Sequence, residues 1–118
     1  MAVWAQHNGV DRNDVVASNY SADSGWSVPS YVNQRKLSID SPHLAVDSSG
    51  TAAVVWVEGM YLADPPAMME ALYSPITGWS TPISLAVLTD TSGMYVPVTA
   101  IGANRAGLVY SVWGLDSM

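Results

Sequence analysis

Gly25-Trp26-Ser27-Val28-Pro29 returns 53 positions later as Gly78-Trp79-Ser80-Thr81-Pro82. Upstream of each copy, Ala2-Val3-Trp4 matches Val54-Val55-Trp56 at an offset of 52. Leu44-Ala45-Val46-Asp47-Ser48-Ser49-Gly50 and the apolar run ending at Trp56 match Ile101-Gly102-Ala103-Asn104-Arg105-Ala106-Gly107 and the run ending at Trp113, at an offset of 57. A period of about 50 residues marks a chain assembled from one repeated supersecondary unit. All five tryptophans fall into two recurring sets: Trp4, Trp56 and Trp113 end apolar runs, and Trp26 and Trp79 follow a glycine.

A complete unit reads as four short strands, A to D, over residues 42–46, 51–58, 67–73 and 79–87. Between A and B stands Asp47-Ser48-Ser49-Gly50, whose residue types suit a tight turn closed by a left-handed glycine. Strand B is almost continuously apolar, the pattern of a strand buried on both faces. Residues 67–72 contain good helix formers. That stretch is nevertheless short, lies between Pro65-Pro66 and Pro75, and aligns with a segment holding Val15-Val16, so it is read as strand C. The whole chain then runs B-C-D, A-B-C-D, A-B. It forms a single all-β domain, 1–118, with a partial blade at 2–33, a full one at 42–87 and a partial one at 97–114.

Composition removes several functional classes. Charged residues make up 12% of the chain and hydrophobic ones 49%, against about 25% charged in ordinary soluble domains, so much of the surface must meet a neighbour or be solvated by Ser and Thr. The net charge is −6, and the cations are Arg12, Arg35, Lys36 and Arg105. No basic stripe exists to displace counterions from a phosphate backbone, and nucleic acid is not an expected partner. No apolar run approaches the ~20 residues of a membrane-spanning helix, and residues 1–7 lack the layout of a signal peptide. The absence of cysteine excludes disulfides and thiolate metal sites and fits either redox compartment.

The order apolar strand ending in Trp, polar loop, strand ending in Tyr-Ser, short turn and Gly-Trp-Ser-x-Pro resembles the sialidase-like β-propeller repeat of the BNR or Asp-box type, over essentially the whole chain. Ser21-Ala22-Asp23-Ser24-Gly25 stands where such repeats carry the Ser-x-Asp-x-Gly box, between strands C and D. Trp26 comes earlier than in the family pattern, and the second copy, Ser74-Pro75-Ile76-Thr77-Gly78, has no Asp. The resemblance implies antiparallel four-stranded propeller blades. Nine strands make about two blades, whereas propellers close with four to eight, so ring closure is expected through homo-oligomerisation. The terminal strands of one copy would complete the blade begun by residues 3–31 of the next. Three copies supply about six blades and two about four; six lies nearer the middle of the natural range. A segment of a longer propeller protein and a two-sheet β-sandwich are the alternatives.

In a blade the B-to-C and D-to-A connections emerge at one end. That end collects Asp11, Arg12, Asp14, Arg35, Lys36, Asp40, Glu58, Asp64 and Asp90, and long loops on a rigid scaffold are the usual place for binding. The candidate ligand-binding residues are Asp11, Arg12, Arg35, Glu58, Tyr61 and Tyr95 there, together with Trp26 and Trp79. These tryptophans start outer strands and are expected to be partly exposed, as in propeller lectins that stack sugars on aromatic faces. Trp4, Trp56 and Trp113 are expected to pack between blades. His7 beside Asp11 and Asp14 lacks metal-ligand spacing, and His43 opens strand A and reads as a packed or capped residue. Asp11-Arg12-Asn13-Asp14 has oxygen ligands at suggestive spacing for calcium but lacks the glycine and terminal glutamate of an EF-hand loop, so neither metal nor cofactor is expected. A sialidase-type reaction needs converging arginines and paired carboxyls, and with only three arginines no catalytic set is assigned. The expected function is a non-enzymatic ligand-binding module, with glycan as a candidate ligand. The alternatives are a protein-interaction or structural scaffold, or a fragment of a sialidase-like glycosidase.

Overall fold

The computed structural model describes residues 1–59, 66–87, 95–103 and 109–117, with side chains described within 1–59 and 66–85. Among these residues every regular element is a β-strand and no helix is long and apolar enough to cross a membrane. The strands are β1 (Ala2–His7), β2 (Asn13–Ser18), β3 (Tyr20–Ser21), β4 (Gly25–Trp26), β5 (Ser30–Tyr31), β6 (Ile39–Val46), β7 (Ala52–Glu58), β8 (Ala67–Ser74), β9 (Gly78–Trp79), β10 (Ile83–Val87), β11 (Tyr95–Ala103) and β12 (Val109–Ser117).

All pairings are antiparallel and follow chain order. The first sheet runs β1-β2-β5, the second β6-β7-β8-β10 with β9 also on β8, and β11 pairs with β12. The short β3-β4 pair, which follows β2 in the chain, forms a two-stranded sheet of its own. Residues 67–72 form strand as read from the sequence, because a strand between prolines satisfies its backbone on both neighbouring strands. Strand D differs from the uninterrupted 79–87 expected. It breaks into β9 and β10 before Pro82-Ile83, where proline has no N–H to give to a ladder. Strand A begins earlier than expected, at Ile39, and carries an irregularity at 40–43 where Ser41 adopts a φ of 54° ahead of Pro42.

The A-to-B turn takes the geometry its residues predict. Asp47 Oδ1 accepts from Ser49 N at 2.8 Å, Ser49 Oγ at 2.6 Å and Thr51 N at 3.1 Å, and Gly50 has a φ of 86°. The Ser49 hydroxyl is the first of the groups that hold the Asp47 carboxyl below its ordinary range.

The core lies between the first two sheets. Side chains alternate across a strand, so Val15 and Ala17 of β2 share a face and meet Val54 and Trp56 of β7, joined by Val32, Ile39 and Ala71. Val3, Leu44, Met69 and Trp79 close its margin. The other face of β7 is equally dry. Residues 52–57 are all buried, and β11 and β12 lie against β6 and β7. The expectation of a strand buried on both faces is met, since β7 has a neighbouring sheet on each side.

Candidate functional site

The register of hydrogen bonding aligns the two units residue by residue. Trp4 lies opposite Val16 as Trp56 lies opposite Met69; Tyr31 lies opposite Val16 as Ser84 lies opposite Met69; Tyr20 pairs with Trp26 as Tyr73 pairs with Trp79. The outer corners match bond for bond. Ser27 N donates to Asn19 O and Ser80 N to Leu72 O, both at 2.7 Å; Asn19 N donates to Ser27 Oγ and Leu72 N to Ser80 Oγ, both at 2.9 Å. Each turn is tightened by a serine hydroxyl that accepts from the backbone two residues on, Asp23 N to Ser21 Oγ and Ile76 N to Ser74 Oγ. The ring pairs agree as well, with centroids 5.4 Å apart and tilted 60° for Tyr20 and Trp26, and 5.1 Å and 54° for Tyr73 and Trp79.

What differs is the cover. Trp56 is fully buried, while Trp4 is only half-buried, in contrast to the core role its strand position predicts. Trp26 is 58% exposed and Tyr20 61%, whereas Trp79 packs on the core margin and Tyr73 Oη accepts a hydrogen bond from Asn19 Nδ2 at 3.3 Å. On the open side of the first sheet, Ala2, Trp4, Ser18, Trp26, Ser27 and Pro29 line a predominantly apolar groove of about 380 Å³.

The loop end of the same sheet is polar. Asp14 is buried; its Oδ1 accepts from Arg12 Nε at 3.0 Å and from Asn33 Nδ2 at 3.1 Å, and its Oδ2 faces Arg35 Nε at 3.5 Å in an ion pair without a hydrogen bond. Burial works to raise the Asp14 carboxyl, but the Asn33 and Arg12 hydrogen bonds and the charges of Arg12 and Arg35 outweigh it and hold it below its ordinary range. Asn33 also accepts from Val15 N through Oδ1 at 3.0 Å, tying the D-to-A connection to β2. Arg35, with a φ of 62°, stacks its guanidinium 3.8 Å from the Tyr31 ring centroid. In the second unit Ala67 stands opposite Glu58 where Asp14 stands opposite Gln6, so the second sheet has no carboxylate at this position.

The expected binding residues therefore separate. Arg12 and Arg35 converge, but on an internal carboxylate. Asp11 accepts from Asn8 Nδ2 at 3.0 Å within a loop that Asn8 Oδ1 also organises by accepting from Val10, Asp11 and Arg12 N. Glu58 lies on β7, accepts from Trp56 Nε1 at 3.5 Å, and is raised by burial, with that bond offsetting part of the rise. Asp40 is raised by burial too. Trp26 stands toward the other end of the unit from Asp14: it pairs with Tyr20, six residues further along the chain, or ~20 Å of extended strand. Tyr61, Asp64 and Asp90 lie outside the described residues; Tyr95 opens β11, whose side chains lie outside them too. His43 and His7 are exposed, and His7 Nδ1 accepts from Gly9 N at 3.0 Å. Among the described residues no group of three or more His, Cys, Asp or Glu could hold a metal ion.

Sequence reasoning placed Asp14 only at a loop edge and did not single out Asn33 or Tyr31. A carboxylate opening an otherwise apolar strand, with two arginines in flanking loops, was the available signal. No family model matches the chain, and no curated protein or solved structure matches it either.

Proposed function

We propose that this chain is a non-enzymatic binding module built from sialidase-like β-propeller blades, about two to a copy, with further copies of the same chain completing the ring. The observation that carries this reading is the bond-for-bond repetition of the two units, combined with their stacking of a tryptophan-bearing face on a valine and alanine face. Stacked repeats of this kind bury apolar surface only against their neighbours, and the stack continues until its outer faces are capped or the ring closes. The burial of β7 on both faces favours this stacking over a two-sheet sandwich. The loop end, where Asp11 and the outer part of Arg35 are exposed while Arg12 stays committed to Asp14, is the surface offered to a ligand, and repetition around a ring turns weak single contacts into avidity. Light scattering tests the reading: the mass of two or three copies is expected, and a monomer at every concentration would sink the ring.

A second reading is favoured by the exposed Tyr20 and Trp26 rings, which offer an aromatic platform for a glycan. A glycan screen followed by calorimetry is expected to find a sugar whose binding is lost in Trp26→Ala; no sugar retained by the native protein would remove it. A sialidase reaction is not part of the proposal, because Arg12 and Arg35 are turned onto Asp14 rather than onto an open pocket. Turnover of a fluorogenic sialoside would overturn that exclusion.

A further inference from the structure

The groove on the first sheet is an open copy of a surface that the same chain elsewhere fills. Its lining residues Ala2, Trp4, Ser18, Trp26, Ser27 and Pro29 correspond through the shared register and the repeat to Val54, Trp56, Ala71, Trp79, Ser80 and Pro82. In the second sheet Val54, Trp56 and Ala71 are buried, and their cover is the back of the first sheet: Val15, Ala17 and Val32, with Val3 at the margin. The occupant such a groove takes is thus defined within the molecule. It is the back face of a blade of this same repeat.

The second sheet presents such a back face. Leu72 shares a side with Ala53 across β7-β8, and Ile83 lies on the same side through its pairing with Glu70. The inner strands of this face, β6 and β7, are met by β11 and β12. On the outer strands Leu72 stays 45% exposed and Ile83 55%. Leu72 occupies the position that Asn19 holds in the first unit, as the shared corner hydrogen bonds show. Asn19 is the residue that reaches across to Tyr73 of the next sheet; at its counterpart an apolar side chain faces outward instead.

We infer that the Trp4 and Trp26 groove of one copy seats the Leu72 and Ile83 face of a second copy, head to tail. This rests on the blade-stacking reading above and specifies its interface. The contact repeats between chains the packing seen within one chain, with Leu72 meeting Tyr20 and Trp26 where Asn19 meets Tyr73. Because the two surfaces differ, the contact is heterologous and propagates until a ring closes. It would also withdraw from water the exposed tryptophan and leucine that otherwise form apolar patches on this chain.

The test uses two variants at exposed positions, Trp26→Glu and Leu72→Glu, followed by light scattering from low to high micromolar concentration. The native protein is expected to be oligomeric and each variant monomeric, with association weakened at least about tenfold. Mixing the two variants is expected to give a complex of two chains, since each retains the surface the other lacks. Cooperative thermal unfolding of each variant verifies that it is folded. An oligomer that survives both substitutions, or one lost in Trp26→Glu but kept in Leu72→Glu, overturns the head-to-tail contact while leaving blade stacking standing. A native monomer overturns both, as does a native monomer that binds a glycan in this groove.

Discussion

The first and second sheets carry a tryptophan at the same register position, Trp4 opposite Val16 and Trp56 opposite Met69, and each indole N–H donates to the side chain two residues on, Gln6 or Glu58. One indole is sealed in the core and the other lines an open groove. Local sequence is nearly constant between the two sites, so strand propensity, turn chemistry and pairing explain neither the burial of one nor the exposure of the other. Stacking decides it: Trp56 has Val15 and Ala17 above it, and Trp4 borders a groove. In a repeat architecture the energetic content of a residue lies in the interface between units as much as in the unit itself.

Truncating both indoles separates the two sites by the largest margin. Trp56→Ala removes a fully buried ring and should cost about 4 kcal/mol, whereas Trp4→Ala in the monomer should cost about 1 kcal/mol, since its ring is only half withdrawn from water. Equal losses in urea denaturation would mean that the groove is closed in solution. Under conditions where copies assemble, the Trp4→Ala loss should grow with protein concentration and the Trp56→Ala loss should not.

A feature the second sheet lacks comes next. Asp14→Asn keeps the shape of the buried side chain but leaves Arg12 and Arg35 without their counter-charge, and about 2 kcal/mol should be lost at neutral pH, the partial exposure of both arginines limiting the cost. The Asp14 carboxyl is held below its ordinary value in the folded chain. Its contribution is therefore complete above the unfolded value of 3.8 and disappears as pH falls through the lower folded one. Native and Asp14→Asn proteins should converge in stability in strong acid, and a gap that persists there would show that packing rather than charge is responsible.

The corner glycines should instead behave alike. Gly25 and Gly78 have φ of 73° and 79°, and a Cβ at either meets no atom within 4 Å. Gly25→Ala and Gly78→Ala should each cost about 1 kcal/mol through backbone strain alone. A large difference between them would mean that the two corners are not the same structure.

Much of the likeness between the two sheets is legible in the sequence alone. The offset of 53 between Gly25-Trp26 and Gly78-Trp79 predicts the matched corners, and the unbroken apolar run at 52–57 predicts a strand with neighbours on both sides. These are local signals, fixed by residue type and spacing. The divergence of Trp4 from Trp56 was not readable, because it depends on which sheet lies next to which and nothing in either strand encodes that. Asp14 was hidden for a related reason. Its partners lie in two loops on either side of β2, at positions 12, 33 and 35, and only the folded D-to-A connection carries Asn33 and Arg35 back to it. The proposed occupant of the Trp26 groove leaves even less trace, since a tryptophan that stacks on a glycan and one that docks a second copy have the same sequence pattern.

The smallest expected effect comes from making the second sheet resemble the first. Glu58 takes the position of Gln6, and burial raises its carboxyl above the ordinary 4.5, the hydrogen bond from Trp56 Nε1 countering part of the rise. A group whose folded value is raised holds its proton more tightly in the folded chain. Its ionisation therefore opposes folding, and stability falls as pH rises through the folded value. Glu58→Gln removes that opposition while keeping an acceptor oxygen for the indole N–H, as Gln6 does for Trp4 at 3.1 Å. Glu58 is only partly buried and solvent screens its charge, so the variant should be more stable than the native protein at pH 7 by no more than roughly a few tenths of a kcal/mol, and the advantage should vanish as pH drops below the unfolded value. Asp40, raised by burial as well, keeps part of the native pH slope in the variant. Urea denaturation of both proteins across pH 4 to 8 measures the difference, and an advantage that grew toward acid would show that Glu58 is stabilised, not strained, by its place between the sheets.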